Sequence, residues 1–178
     1  MANISDAFGE IEFRVETTNV EDKKRLIKNM KKLFDEVMSS KEADYATDIA
    51  NDFEVEMGEK ATEWIGRGGF QGYGRWAFEC NCRYTYNWLK NGVERHPELK
   101  PLFEELNKYD WSIIYDFVDA EGGCAVLYEM IVEVAHKAGA DEATEEIKYE
   151  EDYEYNAENL VKLNFYDSLE DAKETCGE

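Results

Sequence analysis

The chain is poor in the residues that usually carry covalent, redox or metal chemistry. It has two histidines (His96 and His136), four cysteines and two prolines in 178 residues. Cys80, Cys82, Cys124 and Cys176 are too few and too scattered for a disulfide scaffold, which fits a reduced compartment. No nucleophile elbow, metalloprotease helix or His–Cys arrangement occurs. No run approaches the roughly 20 apolar residues that span a bilayer, and no basic segment followed by an apolar one opens the chain. These features predict a cytoplasmic protein without catalytic residues, cofactor, metal or membrane contact.

Positive charge is also scarce. Lys and Arg number 20 against 41 Asp and Glu, a formal net charge of −21. The excess is uneven: residues 1–96 carry 18 acids and 14 bases, residues 97–178 carry 23 acids and 6 bases. Like charge at this level repels itself in a compact state. It therefore points either to a solvated acidic surface or to a partner with a strongly basic one, typically a nucleic-acid-binding protein. The same field argues against direct contact with DNA, RNA or anionic lipid. Apolar residues still make up 43% and aromatics 13%, enough for a core, so acidity does not imply disorder.

Periodicity predicts an α+β fold: one domain over 1–178, a mostly antiparallel sheet with helices packed on one face, near the ferredoxin-like folds. Ile11, Phe13 and Val15 alternate as a strand. Asn19 caps a helix whose apolar face runs from Leu26 to Met38. Its other face, Lys23–Lys32, is the one basic island: a solvated face, a neutraliser of the acidic sheet beside it, or a surface that holds a homodimer, basic face to acidic strand. Phe53, Val55 and Met57 begin a hairpin that turns at Gly58 and Glu59 into Ala61–Ile65. Gly66–Gly74 reads as a glycine-rich loop, and Trp76, Phe78, Cys80 and Cys82 as the next strand. Helices are expected near Asn87–Asn91 and from Pro97. A hairpin follows: strand 111–119, a turn at Asp119–Gly123, and a strand from Cys124 to Ala135. Glu145–Tyr155 alternates as a strand, Asn159–Asp167 reads as a last one, and Ser168 caps a short helix ending before Gly177.

The opening strand and helix (Ile11–Met38), the aromatic segment Trp76–Cys82 leading into a helix, and the hairpin Trp111–Val134 with its Asp119–Gly123 turn together resemble the YubB-like ferredoxin-fold family. That family is encoded by phages and plasmids. The resemblance implies a small accessory protein of a mobile element and transfers no functional residues.

Two segments are candidate contact surfaces. Glu146, Glu150, Asp152 and Glu154 are expected as one row of carboxylates, extended by Asp141 and Glu142. Alternate residues of a strand lie about 6.6 Å apart, the same order as successive phosphates of a nucleic-acid strand. The competing interpretation is an edge strand that uses charge to prevent aggregation. In the Gly66–Gly74 loop, Arg67, Phe70 and Tyr73 are expected to form a lip for a protein partner, because aromatics and Arg dominate interface hot spots. Phosphate binding there is the weaker alternative, lacking a G-x-G-x-x-G spacing or a Walker lysine. Cys80, Cys82, Cys124 and His136 are weighed as metal ligands and expected instead as buried small groups. The functional expectation is an acidic nucleic-acid mimic from a phage or mobile element. It would bind the basic groove of a host defence protein, of anti-CRISPR or anti-restriction type. The alternatives are a non-inhibitory acidic partner of a basic host protein, or a small enzyme centred on the glycine segment.

Overall fold

The computed structural model describes residues 4–39, 46–57, 64–75 and 77–177. Among them the chain runs β1 (Ile4–Glu16), α1 (Val20–Met38), β2 (Ala46–Ile49), β3 (Glu54–Met57), β4 (Trp64–Arg75), α2 (Phe78–Arg83), α3 (Thr85–Arg95), a 3-10 turn at Pro97–Leu99, α4 (Lys100–Leu106), β5 (Asp110–Glu121), β6 (Val126–His136), β7 (Ala143–Glu154), α5 (Ala157–Lys162) and α6 (Leu169–Cys176). The strands make one seven-stranded sheet in the order β2–β4–β1–β5–β6–β7, with β3 also paired to β4, and every pairing is antiparallel. Its first part, a strand, a helix, an edge segment, a strand, helices and a strand, is the split βαβ arrangement expected from the element order. β6 and β7 extend it as a meander.

α1 forms where expected. The Asn19 side chain accepts from the amides of Glu21 (3.1 Å) and Asp22 (3.3 Å), two donors that the first helical turn leaves free. Leu26, Ile27, Met30, Leu33 and Phe34 are fully buried against the sheet. Burying each such side chain is worth about 1.5–3 kcal/mol. Ile11 and Phe13 of β1, and Trp111, Ile113, Tyr115 and Phe117 of β5, face them. Helices α1 to α4 cover this face. α5 and α6 close the opposite face at one end, around Ala120, Leu127, Leu160 and Ala172, with Phe8 against Phe165 at 4.8 Å. Leu127, buried, and Val118, partly buried, give this face the apolar patch on which these last two helices pack. Among the described residues the rest of that face carries no helix.

Four expectations need correction. Gly66–Gly74 is the interior of β4, paired on both sides, because glycine here makes room and does not mark a turn. A Cβ on Gly72 would lie 2.1 Å from Phe78 Cε2, and one on Gly66 2.5 Å from Phe53 Cζ. Phe78–Cys82 is helical. The α2 start is capped from across the sheet: Asp119 Oδ2 accepts from the Phe78 amide at 2.8 Å and from Tyr128 Oη at 2.5 Å, while Oδ1 accepts from Ser5 Oγ at 2.5 Å. Asp119 is consequently a fully buried residue of β5, and the turn lies at 122–125. Finally, Asn159 falls in α5, capped by Asn156, so no strand follows β7. The expected turn at Gly58 and Glu59, and Trp76, lie outside the described residues.

Candidate acidic binding surface

β7 is a sheet edge, so one side of its backbone pairs with β6 and the other faces outward. Register sorts its side chains, because directly paired residues share a face. Ile147, Glu145 and Ala143 pair with Val132, Val134 and His136, whose side chains are buried on the α1–α4 side. A bulge between the partners Ile131 and Val132 inserts Lys148 and shifts the phase. Beyond it, Glu150, Asp152 and Glu154 pair with Met130, Tyr128 and Val126, on the same side as Ile147. Tyr149, Glu151 and Tyr153 pair with Ile131, Glu129 and Leu127, on the opposite side.

The expected single row is therefore two. Glu146 pairs with Glu133 on the second face, where Lys148 Nζ bridges both carboxylates at 2.6 and 3.0 Å. Those two anions hold the Lys148 ammonium above its ordinary value. Glu150, Asp152 and Glu154 are exposed and have no ion-pair partner among the described residues. Glu145, beside them, is held above the usual carboxylate range by burial. Asp141 and Glu142 are exposed in the turn before β7, where the Asp141 carbonyl accepts from Lys90 Nζ at 3.4 Å.

On the second face a tyrosine–carboxylate string follows. Tyr149 Oη donates to Glu151, which pushes the phenol up to about 12 and lowers the carboxyl. Tyr153 Oη donates to Glu129 at 3.2 Å, and Lys162 Nζ lies 4.6 Å from the Tyr153 ring centre. Next to it, a groove of about 390 Å³ runs between the sheet and the end of α5, lined by Glu10, Asp116, Glu129, Lys162 and Asn164 among others. Burial, then the neighbouring Glu129, holds the Asp116 carboxyl above its usual range. The sequence reading missed this second field of carboxylates. Its signal was available: polar residues at period two in β1 and β6, opposite the apolar set, place Glu10, Glu12, Glu129 and Glu133 on one face.

The lip of Arg67, Phe70 and Tyr73 does not form. Successive odd and even positions of β4 point to opposite faces, so Phe70 parts from the other two. Phe70 is 4% exposed and stacks on Phe78 with ring centres 5.4 Å apart. Arg67 is on the second face, tied to Glu12 and to Glu10 Oε1 at 3.0 Å, chiefly by the Glu12 bond that also raises its guanidinium. Tyr73 is half-buried, and burial raises its phenol. Nor do the β4 glycines cradle a phosphate, since the strand is paired by β1 on one side and by β2 and β3 on the other.

Cys124 and His136 lie at opposite ends of the β5–β6 hairpin. The His136 ring packs against those of both Tyr86 and Trp111, ring centres 5.4 and 5.2 Å away, with Nε2 3.0 Å from the Ala140 carbonyl oxygen. Cys82 is buried in the core, where burial pushes its thiol well up. Among the described residues no group of three or more His, Cys, Asp or Glu is arranged to hold a metal ion, and no helix is long and apolar enough to cross a membrane.

The chain is thus an α+β protein whose sheet ends in an edge strand with carboxylates on both faces. Comparison with protein-family models, with curated proteins and with solved structures returned no match in any of the three.

Proposed function

We propose that the protein is an acidic decoy that occupies the basic nucleic-acid groove of a host defence protein, of the CRISPR-effector or restriction type. The phage or mobile-element origin in this proposal rests on the family resemblance of the opening strand and helix and the β5–β6 hairpin. One observation carries the reading. Glu150, Asp152 and Glu154 stand about 6.6 Å apart on an edge strand, exposed and unneutralised by any described cation. Such a row can replace phosphates along a basic groove and release the counterions held there. No bond need be made or broken.

The test is a titration against a purified effector at two salt concentrations. Glu150→Gln with Asp152→Asn and Glu154→Gln removes three charges and keeps side-chain size. Exposed pairs contribute about 0–1 kcal/mol each, so affinity should fall by up to about two decades and its salt dependence should flatten. Glu146→Gln should do less, because Lys148 already neutralises that carboxylate. Unchanged affinity and salt slope in the triple variant would overturn the reading. So would binding of duplex DNA by the protein itself.

A further inference from the structure

The basic island of α1 has a shape that its sequence did not disclose. Lys24, Lys28 and Lys31 line a groove of about 460 Å³ together with Phe53 and with Glu54 and Val55 of the β3 edge. Lys24 and Lys28 also bound a second hollow of about 360 Å³ with Glu21, Arg25 and Asn29. The Lys24 ammonium lies 4.7 Å from the Trp64 ring centre and that of Lys31 5.4 Å from the Phe53 ring centre. Six of the cations elsewhere are paired: Arg14, Arg67, Arg83, Lys100, Lys137 and Lys148 each contact a carboxylate. Lys24 and Lys28 have no such partner among the described residues, although acids outnumber bases two to one.

The complementary surface is on the same molecule and out of its own reach. β3 and β7 are opposite edges of the sheet, with β4, β1, β5 and β6 between them. At about 4.8 Å per strand they are separated by more than 20 Å. We infer that the α1–β3 groove receives the β7 edge of a second copy of this chain. Lys24, Lys28 and Lys31 are spaced about 6 and 4.5 Å along the helix, and Glu150, Asp152 and Glu154 about 6.6 Å along the strand. Lys24 and Lys28 can therefore run beside that row, ammonium against carboxylate, while Lys31 is already paired with Asp35 of its own helix at 2.5 Å. Apolar groups match as well. Ile147, 37% exposed on the same side of β7 as Glu150, meets an edge where Val55 is half-buried and Met57 is 56% exposed.

Because donor and acceptor are different surfaces on opposite edges, one contact leaves both outer edges free. The association is head-to-tail and grows into rings or short chains, with no closed two-fold dimer. The net charge of −21 opposes it at long range, whereas the contact itself is local. This inference goes beyond the decoy reading and stands without it.

Sedimentation velocity over a hundredfold concentration range tests it, with the intact chain and two variants. Wild-type protein should associate progressively at moderate salt and dissociate at about 0.5 M, where the Debye length falls to a few ångströms. Lys24→Gln with Lys28→Gln keeps the donor edge and loses the acceptor. Glu150→Gln with Asp152→Asn and Glu154→Gln does the reverse. Each variant alone should be monomeric, its fold checked by circular dichroism. Mixed, they retain one competent contact and should stop at a 1:1 complex. Wild-type protein that stays monomeric throughout, association surviving in either variant, or a mixture that gives no complex would each overturn the inference. A monomer that instead binds polyphosphate through Lys24 and Lys28 would also overturn it, in favour of an anionic ligand.

Discussion

β4 and β7 are strands of equal length, 12 residues each, and both depart from ordinary strand composition. β4 carries five glycines and lies inside the sheet under a helical layer; β7 carries six acids and lies at an edge. Glycine in β4 answers crowding, since the rings of Phe53 and Phe78 occupy the space a side chain would need. Charge in β7 answers the opposite condition, an outward backbone with nothing packed on most of its length. A sequence feature commonly read as looseness can thus mark the tightest packing in a sheet, and one read as a strand pattern can mark its least packed member.

The largest test of this contrast is Phe70→Ala. Truncating a buried Phe costs about 3–5 kcal/mol, which urea unfolding would measure directly. A loss under about 1 kcal/mol would return Phe70 to the surface and dissolve the contrast. On β7, by comparison, Glu150→Gln with Asp152→Asn and Glu154→Gln should shift stability by less than about 1 kcal/mol, and upward, because like charges are removed from an exposed edge. A marked loss there would mean that the row has structural partners.

A smaller effect separates the charged regions by pH. Burial is the first cause that holds Asp6, Asp116, Glu121 and Glu145 above the usual carboxylate range. The fold therefore favours their protonated forms. That contribution is fully present below the unfolded pKa near about 4 and is lost as pH rises through the folded value. Asp110 and Glu151, lowered by Lys137 and Tyr149, act in the opposite sense at lower pH. The melting temperature at low salt should thus rise as the pH is lowered from neutral toward the unfolded carboxylate value near about 4, with a smaller rise in Asp116→Asn. A melting temperature that falls steadily from neutral pH would overturn the burial of these four carboxyls.

Local signals were enough for α1, with its Asn19 cap and apolar stripe, and for α6, which opens at Ser168 and stops at Gly177 with φ 72°. Period two sufficed for β1, β5 and β7, and element order for the α+β class and the antiparallel sheet. What escaped was set by distant partners. The α2 helix is fixed by Asp119, 41 residues away, so the alternation of Phe78, Cys80 and Cys82 pointed to a strand. The β4 glycines make sense only beside Phe53 and Phe78. Of the candidate site, the exposure of Glu150, Asp152 and Glu154 was legible, whereas the sidedness of Glu146 was not, because a bulge is a property of two paired strands.

That bulge has a consequence at the level of genes. Lys148 sits where β7 gains a residue without gaining a partner in β6. Loss of its single codon would leave Ile147 opposite Val132, Tyr149 opposite Ile131 and Glu150 opposite Met130, so every other side chain keeps its face and only the bulge and the Lys148 pairs with Glu133 and Glu146 disappear. The same loss from the middle of β5, a strand paired without a bulge, would turn the following side chains to the opposite face. Chains of this fold can therefore differ in length at this point of β7 without differing in the surface they present.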